Sequence, residues 1–181
     1  AADIDGVHGF HTTTGEQVRF IDFTNLEPGF LNDIVAGPDD ALYVTDTGTA
    51  SVYRVRGDSV SVVIDDLPHS PNGITLSPSG DQLVLAPWGG DWIFHAWDIP
   101  EESMNEFISA TSGGNFDGIE FVGERLIAAS QSDSSLHMIG SEEDMVLIHV
   151  PGPPADIGID TQRNQVAVPY IALNRVDIWQ L

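Results

Sequence analysis

The chain has 181 residues, of which 28 are acidic and six are basic, so its formal net charge at pH 7 is -22. A surface this acidic repels phosphate backbones and anionic lipids, so we expect neither nucleic acid nor membrane as a partner. The chain is 41% apolar and has no cysteine, so it can bury the core of one domain but cannot form disulfides or use thiolate chemistry.

The acidic residues are spread along the chain, and all six basic residues are arginines. A lysine-free acidic composition resembles that of proteins from salt-loving microbes, in which salt screens the repulsion between carboxylates. We therefore interpret most carboxylates as solvated surface groups of a halophilic protein. The opening residues Ala1-Ala2-Asp3 would suit a mature end left by signal cleavage, which favours a periplasmic or secreted location.

The first 30 residues predict part of a β-sheet. Residues 7–11 and 17–23 read as two strands that flank a turn at residues 14–16, where Gly15 favours a hairpin. We interpret them as the two outer strands of a unit that lacks its inner pair.

From residue 31 onward a short phrase recurs four times, at residues 31–34, 71–74, 116–119 and 154–157. Aligned on Asn32, Asn72, Asp117 and Ala155, the copies are 40, 45 and 38 residues apart. Each phrase leads into an apolar strand, a tight turn, a second strand and an amphipathic third strand. Two units show a fourth strand, at residues 60–64 and 145–149, and residues 100–109 suit either two helical turns or an edge strand.

Four antiparallel strands in each period of about 40 residues are typical of a β-propeller blade. We therefore predict one all-β propeller domain over residues 1–181, with four to five blades. Its divisions are a partial blade at 1–30 and successive blades at 31–70, 71–114, 115–153 and 154–181. The last of these ends after three strands, and an N-terminal strand could complete it and close the ring.

The phrases Pro71-Asn72-Gly73-Ile74 and Phe116-Asp117-Gly118-Ile119, with Ser77-Pro78-Ser79-Gly80 after the first, resemble motifs of the senescence-marker-protein/gluconolactonase/luciferin-regenerating-enzyme superfamily. Leu31-Asn32-Asp33 resembles the earlier Asn-Asp motif of that family, and residues 155–160 resemble its last blade. The resemblance implies a six-bladed propeller with a divalent cation, usually calcium, in its central channel, and for many members lactone hydrolysis.

By this resemblance, Asn72 and Asp117 would be metal ligands, Asp117 would also be the catalytic base, and Asn32 would contact substrate. A glutamate of the family's first blade normally completes the metal site, and this chain has no counterpart for it. We expect Ca²⁺ as the cation, with Zn²⁺, Mn²⁺ or Mg²⁺ as alternatives.

Physical chemistry also supports Asn72 and Asp117 as ligands of a cation. Calcium takes six to eight oxygen ligands, and an amide and a carboxylate from neighbouring blades supply one of each kind. A bound cation would polarise a lactone carbonyl and lower the pKa of a bound water. Asn, Asp and Gly before a strand are also ordinary turn formers, so a purely structural role stays open for each of them.

Further substrate contacts are predicted at the same end of the channel. Asp33 and Asp156 come one position later in the phrase, and Trp88 and Tyr170 follow second strands, although capping or core packing could account for each.

Three functions remain open. The first is a metal-dependent hydrolase of a small lactone or related ester. The second is a non-catalytic propeller with a degenerate metal site that binds a ligand or a protein, which the missing glutamate favours. The third is homo-oligomerisation through incomplete blades, because unpaired sheet edges associate readily.

Overall fold

Five antiparallel sheets follow one another along the chain and form the blades of a β-propeller in the computed structural model, which describes residues 1–90, 92–140 and 144–181. The strands are numbered β1 to β18 in chain order. Blade 1 contains β1 (Ala2–Asp3), β2 (Gly6–Phe10) and β3 (Gln17–Asp22). Blade 2 contains β4 (Leu31–Ala36), β5 (Leu42–Asp46), β6 (Ser51–Arg56) and β7 (Ser59–Ile64).

Blades 3 to 5 repeat the pattern. Blade 3 contains β8 (Pro71–Leu76), β9 (Gln82–Pro87), β10 (Ile93–Asp98) and β11 (Ser103–Ser109). Blade 4 contains β12 (Phe116–Val122), β13 (Arg125–Ser130), β14 (Ser135–Ile139) and β15 (Asp144–His149). Blade 5 contains β16 (Gly158–Asp160), β17 (Gln165–Pro169) and β18 (Val176–Gln180).

The predicted all-β propeller is confirmed, and it has five blades, of which blades 2 to 4 have four strands. Residues 103–109 form a blade-edge strand, so the helical alternative for residues 100–109 was wrong. In the part of the chain that the structure describes, the only helix that is assigned is a short 3₁₀ turn, Thr24–Leu26, and no helix is long and apolar enough to cross a membrane.

The expectation that an N-terminal strand completes the last blade was wrong. Strands β1, β2 and β3 pair with one another in a sheet of their own, and β18 is the last strand of blade 5. Short connections join the three N-terminal strands, so each strand pairs with its neighbour in sequence, which is the usual outcome for consecutive strands.

The hydrophobic core is divided into layers between neighbouring blades. In β9, Leu83 and Leu85 face blade 2, whereas Val84 and Ala86 face blade 4, and all four are fully buried. This two-residue alternation follows from the pleat of a strand that is covered on both faces. Trp97 packs with Leu83 and Leu85 against blade 2. Blades 2, 3 and 4 are therefore each stabilised mainly by the blades on either side.

A β-bulge lies at the recurring phrase in three of the inner strands. In blade 2, Leu31 pairs with Asp46 but Ile34 pairs with Val44, so the inner strand carries one extra residue. The same shift occurs in β8 and in β12. Bulges redirect side chains and interrupt the ladder. In these three inner strands, the bulge at the phrase therefore directs polar side chains away from the sheet.

Glycine in the phrase allows neighbouring inner strands to come into contact. A Cβ atom on Gly73 would lie 2.2 Å from the carbonyl oxygen of Asp117, and one on Gly118 would lie 2.3 Å from the backbone nitrogen of Ile157. Real Cβ atoms do not approach backbone this closely, so blades 3, 4 and 5 would have to move apart to accommodate any side chain there.

We predict that Gly73→Ala lowers the free energy of unfolding by about 2–3 kcal/mol, since the added methyl must displace backbone of the next blade. Gly158→Ala is the matched control, because a Cβ atom there meets no atom within 4 Å; we expect a change within about 0.5 kcal/mol. Urea denaturation followed by circular dichroism measures both variants. Equal stability of the two variants would contradict the close approach of the inner strands.

Candidate functional site

The bulges of blades 2, 3 and 4 bring polar side chains to one end of the channel. A pocket of about 440 Å³ lies there, and it is lined by Phe30, Asn32, Thr47, Asn72, Trp88, Asp117, Gln131 and Ile171. Three of these residues, Asn32, Asn72 and Asp117, occupy the same position of the recurring phrase. The structure thus brings together four of the residues that the sequence analysis selected, Trp88 being the fourth.

A second set of equivalent residues completes the pocket wall. Thr47, Trp88, Gln131 and Ile171 each follow the second strand of their unit, and the backbone N–H of each donates a hydrogen bond to the carbonyl of the residue before the phrase. Thr47, Gln131 and Ile171 were missed from sequence. Each of them follows the second strand of its unit, as Trp88 does, so the same alignment of the repeats could have identified them.

Asn72 is the most enclosed polar residue of the pocket, with 3% of its surface exposed. Its backbone carbonyl accepts a hydrogen bond from Thr45 Oγ1 at 2.7 Å, which holds the bulge in place. Its side-chain Oδ1 is buried and has no hydrogen-bond partner among the described residues. Buried carbonyl oxygens are rarely left unsatisfied, so this oxygen is a candidate for contact with a ligand, a cation or a water.

Asp117 lines the same pocket from the inner strand of blade 4. Gln131 Nε2 donates a hydrogen bond to Asp117 Oδ2 at 2.6 Å and so orients the carboxylate. Desolvation by burial raises the pKa of Asp117 to about 6, and the charge of Asp156 contributes to the rise. A carboxylate with this pKa exchanges protons near neutral pH, as a general base must.

Asp33 does not line the pocket but joins two blades. Its Oδ1 accepts a hydrogen bond from the N–H of Ile34 at 2.7 Å, and its Oδ2 accepts one from the N–H of Ile74, in the next blade, at 2.8 Å. Burial raises the pKa of Asp33 to about 7, with a further contribution from the charge of Asp156.

Asp156 and Tyr170 also lie outside the lining of this pocket. Asp156 Oδ1 accepts the N–H of Ile157 at 2.8 Å, and desolvation raises its pKa although the side chain keeps contact with solvent. Tyr170 is buried between blades 4 and 5, where its hydroxyl accepts a hydrogen bond from Trp179 Nε1 at 3.1 Å. It precedes Ile171 by one residue, and one residue reverses the direction of a strand side chain.

The donor set for a metal ion is small. Asn72 Oδ1 is an unpartnered oxygen suited to a cation, and Asp117 adds a carboxylate in the same pocket. Among the described residues, no group of three or more His, Cys, Asp or Glu side chains is arranged to hold a metal ion. Since calcium takes six to eight oxygens, a cation bound here would keep most of its ligands as water.

Comparisons with known proteins bear on the fold. No family model and no curated protein matches the chain. Among solved structures, virginiamycin B lyase from Staphylococcus aureus matches 98% of this chain and 64% of its own with 15% identity and a TM-score of 0.67. A nidogen/laminin complex matches 97% of this chain and 72% of its own, with 14% identity and a TM-score of 0.73.

Hydrazine synthase from Kuenenia stuttgartiensis gives a TM-score of 0.68 at 18% identity, over 91% of this chain and 49% of its own. The chain therefore spans less than two thirds of the length of the lyase and about half of the synthase. At these identities the likeness shows a β-propeller fold. It does not single out the gluconolactonase-like family.

The elevated pKa of Asp33 predicts a pH dependence of stability. Because the folded state holds this proton up to about pH 7 and the unfolded state releases it near pH 4, stabilisation from the proton is present below pH 4 and is lost as pH rises to 7. We expect the free energy of unfolding of the wild type, relative to that of Asp33→Asn, to fall by about 2 kcal/mol over this interval. Urea denaturation at constant salt between pH 4 and 8 measures the difference. A constant difference would contradict the burial of Asp33 as a protonated group.

Proposed function

We propose that the pocket binds a small lactone or related ester and hydrolyses it, with Asp117 as the general base. One observation carries the proposal: a carboxylate whose pKa is raised to about 6 shares a pocket with the unpartnered buried oxygen of Asn72. Perturbed titratable groups in a cleft are typical of active sites. The resemblance of the phrases at Asn32, Asn72 and Asp117 to those of gluconolactonase-like proteins supports the same reaction.

The side chains that line the pocket favour an uncharged substrate. Phe30, Trp88 and Ile171 supply apolar surface, while Asn32 and Gln131 supply amide groups. None of the described residues that line the pocket is an arginine or a histidine. A lactone is neutral and fits such a wall, whereas its hydroxy-acid product is an anion that the acidic channel repels, which favours product release.

In the proposed reaction, the ionised carboxylate of Asp117 accepts a proton from a water molecule as the water oxygen attacks the ester carbonyl carbon. The tetrahedral intermediate then breaks its bond to the ring oxygen, and that oxygen takes the proton back from Asp117. Gln131 keeps Asp117 Oδ2 oriented during both transfers through its 2.6 Å hydrogen bond. A divalent cation, for which Ca²⁺ is our first candidate, would be held by Asn72 and Asp117 and would polarise the carbonyl.

A second candidate function is non-catalytic binding of a ligand or protein. It is favoured by the sparse donor set, because the described residues include no group of three or more His, Cys, Asp or Glu side chains that could hold a metal ion. The solved neighbours include both a lyase and a propeller within a protein complex, so the fold is compatible with either function.

For the hydrolase, we predict that Asp117→Asn lowers kcat by about 10²–10⁴-fold, because an amide cannot accept the proton of the attacking water. A panel of five- and six-membered lactones, followed by pH-stat titration of the acid released, provides the assay. Asp22→Asn serves as the control, since Asp22 is exposed on blade 1. Absence of turnover by the folded wild type on every lactone and ester, or full activity of Asp117→Asn, would refute the hydrolase.

We also predict that chelation of divalent cations lowers the rate and that added Ca²⁺ restores it. In Asn72→Ala, loss of one ligand should raise the Ca²⁺ concentration for half-maximal recovery by at least about tenfold, equivalent to about 1.4 kcal/mol of binding. Isothermal titration of Ca²⁺ into both chains, without substrate, measures the affinity independently of the rate. Turnover that is unchanged by chelation would show that the cation is dispensable.

A further inference from the structure

A buried histidine in blade 4 takes no part in the proposed hydrolysis, but it contacts two segments that lead to the pocket. His137 lies on β14 and is fully buried. The first segment is the loop between β11 and β12, residues 110–115, which ends two residues before Asp117. The second is the turn between β13 and β14, residues 131–134, which begins with Gln131.

One ring nitrogen of His137 contacts the turn. Nε2 lies 2.9 Å from Asp133 Oδ2, and Asp133 Oδ1 accepts a hydrogen bond from Ser135 Oγ at 2.6 Å. Burial opposes the shift, but hydrogen bonds from Ser130 and His137 lower the pKa of Asp133, so this carboxylate is ionised at neutral pH. Because an ionised carboxylate only accepts hydrogen bonds, Nε2 carries the proton. The turn is thereby bonded to the buried strand β14.

The other ring nitrogen faces the loop. Nδ1 lies 3.5 Å from Ser112 Oγ and 3.5 Å from Asp144 Oδ1. Asp144 Oδ2 accepts hydrogen bonds from the backbone N–H of Thr111 and, at 2.7 Å, from its Oγ1. Gly113 lies directly against the ring, since a Cβ atom there would be 2.9 Å from His137 Nε2. Three consecutive residues of the loop are therefore held by the imidazole and by the carboxylate beside it.

Hydrogen bonds also join the loop to the turn. Ser130 Oγ accepts the N–H of Gly114 and donates to the carbonyl of the same residue, both at 3.2 Å. The backbone N–H of Gln131 donates to the carbonyl of Asn115 at 3.3 Å. The loop and the turn thus form one bonded unit, and Gln131 and Asp117, which extend from it, meet in their 2.6 Å hydrogen bond.

Blade 2 has a polar side chain with similar contacts at the same register position. Tyr53 is aligned through the strand pairs with Ile34 of the phrase, as His137 is with Ile119. The Tyr53 hydroxyl donates a hydrogen bond to Asp46 Oδ2 at 3.4 Å. Asp46 accepts four backbone N–H groups from the two loops at the pocket end of blade 2, those of Gly29, Phe30, Gly48 and Thr49. In two blades, therefore, this position of the third strand connects to both loops beside the pocket.

We propose that His137 and Asp133 are positioning residues of the candidate site. Through the turn and the loop, their hydrogen bond keeps Gln131 and Asp117 at the separation at which the amide orients the carboxylate. Neither His137 nor Asp133 is among the described residues that line the pocket, so they act through other residues. The catalytic consequence rests on the proposed hydrolysis, whereas the effect on the loop and the turn does not.

Two substitutions of Asp133 test the effect on the loop and the turn without substrate. Asp133→Ala removes the acceptor of the Nε2–H, whereas Asp133→Asn keeps an acceptor oxygen there. In Asp133→Ala we expect the amide protons of Gln131 and Ser132 to exchange with solvent at least about tenfold faster, as for loss of a hydrogen bond to a charged group. Asp133→Asn should retain most of the protection. Amide hydrogen exchange followed by NMR measures both variants.

Kinetics on a lactone test the effect on the site. Asp133→Ala should lower kcat by about tenfold and change KM by less than about twofold, because the substrate contacts remain while the orientation of Asp117 is lost. Asp133→Asn should recover most of the rate. Asp98→Ala is the matched control, since Asp98 also fixes a turn, through the N–H of Glu101 at 2.8 Å, but lies in neither the loop nor the turn of blade 4.

The two measurements fail separately. Faster exchange confined to residues 110–115 and 131–134, with recovery in Asp133→Asn, supports the positioning role. Unchanged exchange in Asp133→Ala, exchange that rises equally in every blade, or an Asp133→Asn variant as impaired as Asp133→Ala would overturn it. A wild type that hydrolyses no lactone or ester would refute the hydrolase, and the exchange rates would then decide the positioning role alone.

Discussion

The close approach of inner strands at the recurring phrase is the constraint on which the rest of the structure depends. Gly73 lies against the backbone of Asp117, and Gly118 lies against the backbone of Ile157. These contacts set the spacing of blades 3, 4 and 5 around the channel. They also help to position the residue that precedes each glycine, and these two residues, Asn72 and Asp117, line the same pocket.

In blade 2 the phrase has Asp33 in place of glycine, and hydrogen bonds to its carboxyl group connect blades 2 and 3. Asp33 stands at the position of Gly73 and accepts the N–H of Ile74 in blade 3. Burial then raises the pKa values of Asp33, Asp117 and Glu120, and the charge of Asp156 adds to each rise. The channel thus combines structural and candidate catalytic carboxylates, and protonation of one group influences the others.

The repeat register made most of the architecture predictable from sequence. Turn residues and apolar alternation marked the strands of blades 2 to 5, and the aligned phrases identified Asn32, Asn72 and Asp117 as neighbours. Whether an N-terminal strand completes the last blade was not predictable in this way, because pairing between distant strands depends on tertiary geometry that local patterns do not encode.

The residues that line the pocket were also only partly predictable from sequence. Ile171, not Tyr170, is equivalent to Trp88, and an error of one residue in register exchanges a pocket residue for a core residue. Gln131 has a polar side chain after a second strand, which is common in loops, so only its contact with Asp117 distinguishes it. The unpartnered oxygen of Asn72 is likewise visible only when every neighbour is in place.

A crystal structure of the chain soaked with Mn²⁺ and an uncharged lactam analogue of the substrate, with anomalous data at the metal edge, tests the central claim most directly. We predict that the analogue lies in the pocket beside Trp88 and that an anomalous peak lies at about 2.1–2.6 Å from Asn72 Oδ1 and from an oxygen of Asp117, distances typical of hard cations with oxygen ligands. An empty pocket, or side chains of Asn72 and Asp117 that face away from one another, would contradict the claim that the bulges converge on one site.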